Sequence, residues 1–168
     1  MDQITLSALA AFPHQLEALY AVFPGAFTHW APPSWDGIPS ERFTAIEQVC
    51  HIRDIEIDGY HLRFRRMLRE SNPTLVSIDS ESLARERSYA TSSASEALAA
   101  FRSARARTID LISSLSPEQF ARTGTFEGYG ALSLQSLVHY LCSHDQQHLA
   151  GMQWLLGQIG GASIGSGR

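Results

Sequence analysis

The chain has 168 residues, 44% of them hydrophobic and 18% charged, the composition of a globular protein with room for one domain and a buried core. A formal charge of −4 argues against a general nucleic-acid binder, which carries a basic face and a high pI. Cys50 and Cys142 have neither metal-ligand nor disulfide-framework spacing, the N-terminus lacks a basic signal-peptide region, and no apolar run reaches membrane-span length, so a cytoplasmic protein without membrane contact is expected.

In chain order the pattern predicts helices throughout, with no alternating strand. A first helix over Leu6–Phe23 holds Pro13, so it kinks there or begins near it. The following segment carries four prolines and two glycines, PGAFTHWAPPSWDGIPSER, and reads as loop. Thr44 and Glu47 have capping-box spacing and open a second helix that runs to about Glu70, stopped by Ser71-Asn72-Pro73. A short helix is expected over Ser80–Tyr89. Ser93 and Glu96 open a third long helix to about Leu115, and Ser116 with Pro117 starts a single turn. Arg122–Leu132 reads as loop. Ser133 caps a last long helix to about Leu156, and the Gly/Ser-rich residues 158–168 read as a flexible tail after a single domain over 1–157. The fold class is therefore all-α: a four-helix bundle with short extra helices, its wiring undecided. The second helix is apolar on two sides, with Ile46, Val49, Ile57, Tyr60, Phe64 and Met67 opposite His51, Ile55, Gly59 and Leu62. It is either central or shared with a partner chain.

The last helix poses the chemical question. Leu134, Leu137, Leu141, His144, His148, Met152 and Leu155 lie within about 40° of one line. Two imidazoles one turn apart thus occupy the face that should be buried. Buried without partners they would cost about 1–3 kcal/mol each. A shared metal ion is one solution, and core histidines bonded to acids or carbonyls are the other. As a third ligand, His51 is the better candidate. His139 lies on the outer face, His61 on a flank, and His14 and His29 cannot be placed. Arg105 falls in the centre of the stripe Ala94, Leu98, Phe101, Ile109, Ile112, and its carboxylate partner is either internal, Glu56 or Asp54, or a substrate's. Arg63, Arg65, Arg66 and Arg69 read as a solvated helix end. Tyr129 and its flanking glycines read as turn chemistry, with pocket lining as the alternative.

Two stretches carry a family likeness. FTAIEQVCHIRDIE, with Phe43, Thr44, Glu47, His51, Asp54 and Glu56, resembles the second-helix signature of the DinB-like family. LSLQSLVHYLCSHDQQHLAGM resembles that family's last helix, with its His-Asp-x-x-His, and ARTIDLISSLSPEQFARTGTFEGYGALSL is similar to the connection before it. The resemblance spans about Leu6–Leu156, with Phe43 standing where many relatives have Trp. It implies a four-helix bundle of the DinB-like type binding one divalent transition metal, zinc or nickel, through His51, His144 and His148. It also implies a homodimer and a metal-dependent transferase or hydrolase acting on a small molecule, with a low-molecular-weight thiol as co-reactant. The alternative is a non-catalytic helical dimer whose metal is structural or absent. In the enzymatic reading Asp54, one turn after His51, orients a ligand imidazole, and Arg105 and Tyr129 are candidate substrate contacts.

Overall fold

Asp2 starts the first helix earlier than hydrophobic periodicity suggested. In the computed structural model, which describes the backbone of residues 1–165 and the side chains of residues 1–161, its carboxylate accepts from the Thr5 amide at 2.8 Å and caps α1 (Gln3–Val22). Pro13 sits inside α1 without ending it. A proline there cannot bond the carbonyl four residues back, that of Leu9. That carbonyl instead accepts from Arg105 Nη1 at 3.1 Å.

The Thr44–Glu47 capping box forms and opens α2 (Ala45–Asp54). The helix continues through a π turn (Ile55–Tyr60) into α3 (His61–Arg69). The wider π turn inserts a phase step, so the buried side passes from Ile52, Ile55 and Glu56 to Tyr60, Arg63, Phe64 and Met67, while Leu62 is exposed. Every residue of α2 except Glu47 and Arg53 is buried. Its neighbours are α4 (Ser80–Glu86), a 3₁₀ turn (Tyr89–Thr91), α5 (Ala94–Ser114) and the last helix, α7 (Leu134–Gly165). Over α2 the two-sided pattern is thus met by a central position within the chain, while Leu62 on α3 stays exposed.

Ser93 caps α5, and Ser116 with Gln119 makes a full capping box on α6 (Pro117–Phe120). The stretch expected as loop folds instead into a hairpin, β2 (Thr123–Phe126) antiparallel to β3 (Gly130–Ser133), and β1 (Thr74–Leu75) adds parallel to β2. Strands of two to four residues are too short to show an alternating pattern. Ser133 caps α7 as expected, accepting from the Ser136 amide at 3.0 Å. The helix runs past Leu156 to Gly165, through residues expected to be a flexible tail; Ile159 is buried in the core and carries the helix on. Residues 166–168 lie outside the described residues.

Among the long helices, α1 packs on α5 and α7, and α2 packs on the same two. The order around the bundle is therefore α1, α5, α2, α7, with α1 diagonal to α2. Contacts fix the directions. Thr5 meets His139 and Leu9 meets Arg105, which also grips Asp145, so α1 and α7 run parallel. Gln48 meets His148 and His51 meets His144, so α2 runs against α7. Two apolar clusters result. One is built around Phe12, Leu16, Phe43, Ile46, Phe101 and Met152, the other around Leu9, Phe64, Met67, Ile112, Leu137 and Leu141. A buried polar layer of His51, Glu56, Arg105, Thr108, Asp145 and His148 lies between them. Among the described residues no helix is long and apolar enough to cross a membrane.

Candidate metal centre

The antiparallel pairing of α2 with α7 sets three imidazoles tip to tip. His51 Nε2 lies 3.2 Å from His144 Nε2, which lies 3.1 Å from His148 Nε2. From the loop before α2, Glu41 adds a carboxylate, with Oε2 3.3 Å from His148 Nε2 and Oε1 3.7 Å from His51 Nε2. The four donor atoms all lie within 4.8 Å of one another. His144 and Glu41 are partly exposed, while His51 and His148 are buried.

Gln48 decides which nitrogen of His148 faces the cluster. Its amide nitrogen meets Ser40 Oγ at 2.9 Å and the carbonyls of Glu41 and Phe43 at 3.2 Å each. Its Oε1 therefore faces His148 Nδ1 and must accept from it. With the proton on Nδ1, the Nε2 lone pair points at the cluster. The same glutamine clamps the segment carrying Glu41. That segment also packs on α7 at Gly151, where any Cβ would strike the Ser40 side chain.

Burial disfavours protonation of all three rings. It lowers His51 to about 4 against a small opposing pull from Asp54, and drives His144 and His148 well below the ordinary imidazole value, helped by the neighbouring histidines. Burial raises the Glu41 carboxyl. With its proton held on Nδ1, His148 offers an Nε2 lone pair beside the two other ring nitrogens, and burial keeps all three rings neutral, the state in which an imidazole can ligate a cation. A tetrahedral ion with bonds of 2.0–2.1 Å would space its ligand nitrogens about 3.3–3.4 Å apart, close to what is seen here. Donor type, charge state and spacing all fit a divalent transition ion.

Asp54 does not orient His51. Its oxygens accept from Arg53 at 2.7 and 2.9 Å and from the Tyr89 hydroxyl at 2.7 Å, with Arg87 at 3.1 Å. His51 Nδ1 is buried without a protein partner. The phase of the helix explains the difference, since three residues on, Asp54 faces the Tyr89 turn. Arg105 is not positioned for substrate. It is stacked between Phe12 and Phe101 and donates to Glu56 at 3.0 and 2.9 Å and to Asp145 at 2.6 and 3.0 Å. Two carboxylates raise its pKa against the opposing effect of burial. Of the expected partners Glu56 is found and Asp54 is not, while Asp145 was missed because its place beside His144 concealed that it turns to α5. Tyr129 is exposed at the rim of the site's pocket, its ring 4.8 Å from both Phe126 and Tyr140.

The other histidines stay outside the cluster. His61 meets Thr108 Oγ1 at 3.0 Å, and His139 is on the surface near Thr5 and Asp2. Glu41 and Gln48 escaped sequence reasoning. Glu41 lies in an irregular segment without periodicity, and the one available signal is its position just before the capping box that opens the helix of His51. The cluster opens into a pocket of about 330 Å³. Among the described residues Glu41 is its one lining carboxylate, and Tyr60, Arg63, Ser77, Tyr140 and Gln147 are among its other walls.

Fold and site define a four-helix bundle with a candidate metal centre of three histidines and a glutamate set between two of its helices. The sequence matches the DinB superfamily over residues 8–152, and the chain belongs to that superfamily. Its fold is similar to the solved structure of YfiT from Bacillus subtilis, with a TM-score of 0.80 at 19% identity, over 95% of this chain and 90% of that one. YfiT is described as "a probable metal-dependent hydrolase with an unusual four-helix bundle topology". No curated protein matches the chain by sequence.

Proposed function

We propose that this protein is a metal-dependent enzyme in which His51, His144 and His148 hold one divalent transition ion, zinc or nickel, for hydrolysis or for transfer involving a low-molecular-weight thiol. The observation that carries the reading is the convergence of three neutral imidazoles on a point that opens into a pocket of small-molecule size. An ion held there supplies Lewis acidity, which at neutral pH makes water or a thiol a competent nucleophile. The protein's own groups do the rest. Gln48 fixes the tautomer of His148, and Glu41, beside two of the imidazoles, is placed to take the nucleophile's proton. The description of YfiT as a metal-dependent hydrolase supports the hydrolytic branch.

Glu41 also favours a second reading. As a fourth ligand it would close the coordination sphere, and the ion would be structural. The decisive test is elemental analysis after dialysis against zinc or nickel, with the wild type beside a His144→Ala, His148→Ala double variant. About one ion per chain, lost in the variant, is expected. An ion-free wild type after both dialyses overturns the proposal. Chelation then separates the readings: a catalytic site leaves the fold intact, whereas a structural one lowers the melting temperature steeply.

A further inference from the structure

Arg63 was expected on a solvated helix end, and the structure buries it. On α3 just after the π turn, it is only 6% exposed and forms part of the same pocket wall as His51 and His144. Its guanidinium lies between two rings, 5.1 Å from the Tyr60 centroid and 4.5 Å from that of Phe126. Nη2 donates to the Val76 carbonyl at 3.1 Å, and Nε is buried with no partner. Among the described residues it forms no ion pair, in contrast to Arg105, Arg87 and Arg66, each of which grips a carboxylate. The nearby Glu127 carboxylate accepts from the Ser77 amide instead.

The backbone makes room for this arrangement. Gly59, within the π turn, faces the guanidinium so closely that a Cβ there would stand 2.9 Å from Nη1 and 3.4 Å from Cζ. A buried cation with unused donors costs stability that the rings and one carbonyl only partly offset. The fork geometry of the missing partner is that of an oxyanion, which guanidinium binds in two-point fashion. Glu41, the pocket's one carboxylate, is committed to the imidazole cluster.

We infer that Arg63 is the anchor for an oxyanionic head, a carboxylate or a phosphoryl group, of a small-molecule ligand whose remainder extends toward the histidine cluster. Tyr60 and Phe126 lie against the guanidinium, Val76 occupies Nη2, and the unpartnered Nε takes the anion. The inference deepens the proposed function, on which it rests for the role of the pocket, and it names the substrate class as small anions.

The test is a titration with inorganic phosphate and with succinate, on metal-loaded and on chelator-stripped protein, followed by calorimetry and by the ¹⁵Nε–H resonance of Arg63. Saturable binding that moves this resonance is expected, with at least a tenfold loss in Arg63→Met and an intermediate loss in Arg63→Lys, which keeps the charge but not the fork. Metal content should be the same in wild type and both variants. Succinate binding without phosphate binding assigns a carboxylate head, and the converse a phosphoryl head. Equal affinity in wild type and Arg63→Met, binding that leaves the Arg63 resonance unmoved, or no binding of either anion overturns the inference. Binding through Arg63 in protein that takes up no metal would sink the metal reading and leave this one standing.

Discussion

Replacing Arg105 with methionine should be among the most damaging single changes in the molecule. Arg105, Glu56 and Asp145 are each only 1% exposed, and the arginine makes five hydrogen bonds, four of them to the two carboxylates. Taken one by one, charged hydrogen bonds of about 1.5–3 kcal/mol each would suggest some 6–12 kcal/mol. That sum overshoots, because the bonds act as a unit and a stranded carboxylate can take up a proton. Removing one partner of a buried ion pair typically costs about 3–5 kcal/mol. At roughly 2–4 °C per kcal/mol for a domain of this size, the melting temperature should fall by about 6–20 °C. Urea denaturation at pH 7 gives the free energy directly. Adding Glu56→Gln and Asp145→Asn to the variant should restore most of the loss, since the damage comes from unpaired buried charge rather than from missing bulk. A cost below about 1 kcal/mol for the single variant, or a triple variant no more stable than it, would refute the reasoning.

Two further predictions concern groups not recognised or misplaced by sequence pattern. Gln48→Leu removes the acceptor that holds His148 in its ligand tautomer, and metal affinity should drop about 10–100-fold in a competition titration with a chromophoric chelator; an unchanged affinity would show that Gln48 does not set the tautomer. Burial raises the Asp54 carboxyl pKa, but hydrogen bonds from Arg53 and Tyr89 and the charges of Arg53 and Arg87 outweigh it, and the net shift is downward. A carboxylate lower in the folded than in the unfolded state adds stability that is complete above the unfolded value, about 3.9, and is lost as pH falls through the folded value. Asp54→Asn should therefore be less stable by about 1–3 kcal/mol at pH 7, with the gap closing below about pH 4 in urea melts across pH. A gap independent of pH would contradict this.

Much of the architecture was legible because long helices write their signals locally. Thr44–Glu47, Ser93 and Ser116 start helices where their spacing predicts. His144 and His148 stood out because polar residues interrupt an apolar stripe there, and His51, a candidate from its place in the second helix, was strengthened by the family likeness because polar neighbours blur its own helix face. The rest depends on tertiary partners. Glu41 reaches the site only because Gln48 and Gly151 hold its loop against the bundle. Arg63 departs from the expected exposed face because a regular 3.6-residue period does not hold through Ile55–Tyr60, where the helix is wider, and Asp54, three residues after His51 in regular helix, turns to Tyr89 and Arg87. The short hairpin closes on contacts distant in sequence, with Gly124 packed against Met67 and Pro73, and no local pattern announces them.

The π turn in the second helix has a consequence for how such a site diversifies. It separates one rod into two segments with independent angular registers: the upstream segment presents His51, and the downstream segment presents Tyr60 and Arg63 to the same pocket. Rewinding the same residues as an ordinary α-helix would turn every downstream side chain by about 100° and leave the upstream face where it is. The half that presents His51 can therefore stay fixed while the other half is re-aimed or resurfaced. Selection can thus alter what the pocket accepts without reopening the question of what holds its floor together.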